Sequence, residues 1–174
     1  TGCYQSVFFD DWWQIQKFYI ASDMCTDDMW MGNTTQDPGE YRDLAHYTGN
    51  TYNAGNACQN FWQYRYKGIL RSNVAIEQIP KVVFENESLK KRYIAEAKFL
   101  RAFHYFELVR NFGGVPLVLG LKLPSEITGI KRATVEDTYA QIEKDLLEAI
   151  PDLPKRSEYD AMDLGRACLL YTSP

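Results

Sequence analysis

Histidine is nearly absent from this chain: His46 and His104 are the only two among 174 residues. They have no paired spacing and no Ser-His-Asp order around them, so the sequence offers neither a histidine-built metal site nor a nucleophile triad. Cysteine is sparse too. The four, at positions 3, 25, 58 and 168, show neither the close pairing of a zinc site nor the density of a disulfide scaffold, and read as isolated buried thiols. Excess positive charge is lacking: 19 Lys plus Arg stand against 23 Asp plus Glu, and a formal charge of −4 removes the electrostatic case for nucleic-acid binding. Long hydrophobic runs are missing as well. No stretch approaches the ~18–20 apolar residues needed to cross a bilayer, and no basic, then apolar, then small-residue leader precedes Thr1, so any export signal is expected outside this sequence.

What remains is helical periodicity with abundant aromatics. In the stretch Ala95 to Pro116, reading AEAKFLRAFHYFELVRNFGGVP, one apolar line runs through Tyr93, Ala97, Leu100 and Phe103 and a second through Phe99, Ala102, Phe106 and Val109. The pattern predicts a helix packed on two sides over about 88–112, begun by Ser88 and closed by Gly113 and Gly114, with Val115 to Leu119 leaving as an extended segment because Pro116 cannot continue a helix. Trp62, Tyr66, Ile69, Ile76 and Ile79 mark another helix that Pro80 ends, with Asn73 on the same line as a buried amide satisfied by backbone. Thr134-Val-Glu-Asp opens a third, carrying Val135, Tyr139, Ile142, Leu146 and Ala149 before Pro151 and Pro154. Asp11 to Ser22 fits a further buried helix. On the central helix the aromatics read as core, whereas Glu96, Arg101, His104, Glu107 and Arg110 cannot all reach water and imply hydrogen-bonded ion pairs between helices.

A helix with two apolar sides is what a stacked array of helical hairpins requires. The fold expected is therefore all-α, with one long polar and aromatic loop between Asp27 and Asn56. There Gly32, Asn33, Asp37, Pro38, Gly39, Gly49, Asn50, Asn53 and Gly55 supply turn chemistry without sustained period. Loops of that length in compact helical regions are usually functional.

Five segments in succession carry a family resemblance: Ser22-Asp23-Met24-Cys25-Thr26-Asp27-Asp28, the Phe61-Trp62-Gln63-Tyr64-Arg65-Tyr66 entry to a helix bearing Arg71-Ser72-Asn73, the Glu96-Ala97-Lys98-Phe99-Leu100-Arg101-Ala102 core, the Phe112-Gly113-Gly114-Val115-Pro116-Leu117 exit, and Arg132-Ala133-Thr134. Together they cover residues 20 to 167 and resemble the N-terminal half of the SusD/RagB family. The resemblance implies tetratricopeptide-like helical pairs and an outward-facing outer-membrane lipoprotein of Gram-negative gut-type bacteria. Such a protein captures glycan, without turnover or cofactor, for a TonB-dependent, SusC-like transporter. It also implies a lipid anchor outside this chain and a larger C-terminal half beyond it. Thr1-Gly2-Cys3 is not read as the lipidation point, because a tether and at least one more helix separate that cysteine from the acidic segment in the family. Residues 1–167 are expected to form a partial N-terminal helical domain. Residues 168–174 depart from the family pattern and are expected to be a tail at a truncation point.

Sugar rings stack their C–H faces on Trp and Tyr, and their hydroxyls seek Asn and Arg. The loop that corresponds to the family's sugar-contacting one makes Trp30, Asn33 and Tyr41 the first candidates, with Arg42 and Tyr47 behind them. The acidic residues Asp23, Asp27, Asp28 and Glu40 lack the company that glycoside hydrolysis or a calcium loop would need, and neither an enzyme nor a metal protein is expected. Peptide capture on the same scaffold, and a tetratricopeptide-type adaptor for protein partners, are the alternatives.

Overall fold

The structure, a computed structural model, describes residues 2–8, 23, 25–29, 57–159 and 166–167. They are helical with extended connections and contain no strand, so the all-α reading holds. The chain divides into two compact units, one of Thr1–Val7 with Arg65–Pro174 and one of Phe8–Tyr64.

In the first unit, α1 (Gly2–Phe8) contributes residues up to Val7 and α2 (Ala57–Gln78) contributes from Arg65 onward. α2 stops where a 3-10 turn over Ile79–Lys81 takes in Pro80, as the ring's missing N–H and its clash with the preceding turn demand. α3 (Glu87–Phe112) is the central helix. Its cap is Asn86 rather than Ser88: Asn86 has extended backbone, and its side chain accepts from Leu89 N at 3.1 Å, whereas Ser88 lies two residues further in, already within the first turn.

Gly113 ends α3 at φ 71°, ψ −148°, backbone that only glycine adopts without strain, while its N–H closes on Val109 O at 3.0 Å. Beyond it Val115 O accepts from Ala133 N at 3.1 Å, and Pro116 pairs antiparallel with Arg132 in an isolated bridge. The extended exit is therefore tied back to the segment that leads, through the short α4 (Pro124–Ile127), into α5 (Val135–Ala149). α5 starts on the Thr134 cap, which accepts from Asp137 N at 3.0 Å.

α3 is buried on more than one side, through Ala95, Ala97, Leu100, Ala102, Tyr105, Leu108 and Val109. The aromatics divide: Tyr105 is fully buried, Phe99 and Phe103 are half-buried, and Phe106 is exposed, with the Arg110 guanidinium over its ring at 4.7 Å and Tyr139 edge-on at 6.5 Å. Phe106 is thus a surface aromatic and not core. On α5 the buried face runs through Thr138, Ile142, Asp145 and Ala149, whereas Val135 and Tyr139 face solvent. This face is rotated from the apolar line read in the sequence, because α5 must deliver Asp145 to a charged partner on α3. The predicted helix over Asp11 to Ser22 lies outside the described residues.

Candidate functional site

All five sequence candidates, Trp30, Asn33, Tyr41, Arg42 and Tyr47, lie outside the described residues. The described residues nearest to them in sequence are Asp23 and Cys25 to Met29, in the second unit; most of the remaining described residues belong to the first unit.

A turn spans Asp23 to Asp28. Thr26 fastens it three times: its N–H and its hydroxyl both donate to Asp23 O, at 3.0 and 2.6 Å, and its Oγ1 accepts from Asp28 N at 3.3 Å. A hydroxyl two residues before Asp28 can satisfy that amide only if the chain reverses, which is why Thr is suited here. Asp23, Thr26, Asp27, Asp28 and Met29 are exposed, and Cys25 is the one half-buried residue among those described in this stretch. The acidic residues point to water, as ordinary solvated charge does.

In the first unit, charge is spent on holding helices together. Arg101 lies against Asp145 through two hydrogen bonds, Nε to Oδ2 at 2.7 Å and Nη2 to Oδ1 at 2.6 Å, and its Nη1 donates to Asn73 Oδ1 at 2.9 Å and Leu119 O at 3.2 Å. Asn73 in turn donates to Val118 O at 2.7 Å, the backbone satisfaction its place in the pattern implies. Tyr105 completes the tie, accepting from Val118 N at 2.7 Å and donating to Val118 O at 3.1 Å; burial raises its phenol to about 12, so the proton it donates stays in place. Glu96 is a second hub. It accepts from Arg92 Nε at 2.9 Å and Arg166 Nη2 at 2.7 Å, and the Arg166 guanidinium lies over the rings of Tyr4 and Tyr93. Glu107 faces Arg65 at 3.8 Å and pairs with Arg110, whose own side chain is largely exposed.

His104 is the exception to the expected ion pairs. Burial, with the nearby Arg65 charge adding to it, pulls its pKa down to about 3, so it is neutral. Its Nε2 lies 3.1 Å from Ser6 Oγ, whose proton is committed to Cys3 O at 2.5 Å; the histidine must therefore carry hydrogen on Nε2. Ser6 and His104 are at most 1% exposed, so this serine–histidine contact pins α1 to α3 and is closed to any substrate. Gly68 makes room for it, since a Cβ there would fall 2.2 Å from His104 Nε2.

A cavity of about 630 Å³ opens between α1, α2 and α3, walled by Tyr4, Arg71, Tyr93, Glu96, Leu100 and Arg166 among others. Glu96 and Arg166 in its wall satisfy each other. Sequence reasoning missed Ser6, Gly68, Thr138 and Asp145. Asp145 falls at helical spacing from Ile142 and Ala149, a signal that its carboxylate faces inward and needs a cation.

Helical pairs braced by buried Arg–carboxylate contacts define a rigid helical framework in the first unit. Residues 14–164 match the SusD-like family described as "Starch-binding associating with outer membrane", and the chain belongs to that family. It is 36% identical over 93 residues, 53% of this chain, to the SusD-like protein P38 of Formosa agariphila, of which those residues make up 18%. A laminarin-binding SusD-like protein superposes with a TM-score of 0.74 at 30% identity, over 89% of this chain and 34% of that one. Surface glycan-binding protein A from Bacteroides uniformis superposes with a TM-score of 0.78 at 27% identity, over 96% of this chain and 37% of that protein. The chain thus spans about a fifth of the curated relative and about a third of the solved structures.

Proposed function

We propose that this chain is part of a glycan-capturing protein of the outer membrane that faces outward and hands polysaccharide or oligosaccharide to a TonB-dependent, SusC-like transporter. It binds without chemical turnover. The observation that carries this reading is the family match over residues 14–164, joined to a superposition at 30% identity on a protein that binds laminarin. The loop after Asp28 supplies the stacking rings and the amide and guanidinium donors, with Trp30, Asn33 and Tyr41 as first contacts and Arg42 and Tyr47 behind them. The described framework supports such a role: its buried charges are committed to internal partners, which leaves recognition to the loop. Laminarin is the first ligand to try, by affinity electrophoresis of the full-length protein. Retarded migration in laminarin gels supports the reading; unretarded migration across a panel of neutral and acidic polysaccharides, with capture of peptides instead, would replace it.

A further inference from the structure

Buried charges of the framework serve internal partners, but the exposed edge between α3 and α5 carries a different group of side chains. Phe106 on α3 and Tyr139 on α5 are 38% and 36% exposed, and their rings meet edge to face, 6.5 Å apart at 71°. They form a corner of two aromatic walls. The Arg110 guanidinium lies 4.7 Å from the centre of the Phe106 ring, and the buried Glu107 carboxylate holds it there while the arginine side chain stays 47% exposed. One turn before Tyr139, the exposed Val135 extends this surface to Gly113, its Cγ2 3.9 Å from where a Cβ there would stand.

Scattered apolar side chains on a surface are ordinary, whereas two rings crossed beside a fastened guanidinium make a surface that suits a sugar. A pyranose offers C–H faces to aromatic rings and hydroxyls to polar groups; Phe106 and Tyr139 supply the rings, Arg110 donates, and the Tyr139 phenol both donates and accepts. Charge selects the kind of sugar. Among the described residues near this corner in sequence, Arg110, Arg132 and Lys144 are outnumbered by Glu107, Glu136, Asp137 and Glu143, so a carboxylated or sulfated chain gains no attraction there. We infer that Phe106, Tyr139 and Arg110 form a second glycan contact, on the helical framework, for a neutral polysaccharide. This contact presupposes the glycan capture proposed above and adds a place for it outside the loop. Its side chains are already held by one another, so little ordering is left to oppose binding.

Affinity electrophoresis of the full-length protein in gels of laminarin, a neutral glucan, and of polygalacturonate tests the contact, with Tm measured on each variant. Phe106→Leu keeps an apolar side chain and loses the ring, and Tyr139→Ala removes the other wall. Each is expected to weaken retention by laminarin roughly fivefold, with Tm within about 2 °C of the parent. Phe106→Trp keeps an aromatic face and is expected to be retained like the parent. Leu147→Ala, at a residue 67% exposed on the same helix as Tyr139 and outside the ring pair, is expected to change nothing. Parent-like retention of both Phe106→Leu and Tyr139→Ala overturns this contact and leaves the glycan capture standing. Losses that come with a large fall in Tm, or a parent held by polygalacturonate and not by laminarin, overturn it as well. A parent that neither gel retards removes the capture itself, and this contact with it.

Discussion

Arg101 and Asp145 face each other as a two-point pair between α3 and α5, with hydrogen bonds of 2.7 and 2.6 Å, and both residues are buried. Removing one partner leaves a charge in a site that cannot hydrate it, so Arg101→Ala or Asp145→Ala is expected to cost roughly 3–5 kcal/mol of stability. The double replacement R101M/D145L, which removes both charges and keeps volume, is expected to recover much of that loss. Urea denaturation of the four proteins checks it; single variants within 1 kcal/mol of the parent would show that the pair does not lock the helices.

The family fold and the helix limits were largely legible from spacing and breakers. Pro80, Gly113 and Thr134 each act through local backbone chemistry, which a sequence displays directly. Arg101 was legible as a buried cation in need of a partner, but Asp145 was missed: its spacing from Ile142 and Ala149 placed it on the buried face, yet nothing local linked it to an arginine 44 positions away. The seven residues of α1 are too few to show a period, so Ser6 and its contact with His104 left no sequence signal. The five sugar-contact candidates came from the family's loop position and sugar chemistry, and they lie outside the described residues.

His104 makes stability depend on pH in one direction. Its folded pKa, about 3, lies below the ordinary 6.5, so the unfolded chain takes up a proton before the folded one does. This contribution is complete above pH 6.5 and is lost progressively as pH falls toward 3, by at most roughly 4 kcal/mol. His104→Gln cannot titrate, so the difference in unfolding free energy between parent and variant should shrink between pH 7 and pH 4. A constant difference over that range would refute the assignment.

Two glycines are expected to resist even a methyl group. A Cβ on Gly68 would stand 2.2 Å from His104 Nε2, and a Cβ on Gly114 would stand 2.0 Å from the Ala133 carbonyl oxygen. His104 is held by Ser6 and cannot swing away, so Gly68→Ala should lose ~1–3 kcal/mol; Gly114→Ala meets backbone and should lose at least as much. Gly129, with open space about its would-be Cβ, is the control and should tolerate alanine within about 0.5 kcal/mol. Thermal denaturation of the three variants ranks them.

Trp30 offers the most direct test of the proposed glycan contact. An indole stacked on a sugar ring contributes through area and C–H contact, and truncation of such an anchor typically costs about 1–3 kcal/mol of binding. Trp30→Ala in the full-length protein is therefore expected to weaken polysaccharide retention in affinity gels by about fivefold or more while Tm moves by less than about 2 °C. Tyr47→Ala, assigned behind the first contacts, should weaken retention less. The two measurements separate the possible roles of the ring: lost retention with unchanged Tm means that it holds sugar, and a large fall in Tm means that it packs the loop onto the protein. Unchanged retention with unchanged Tm would move the contact to another part of the full-length molecule.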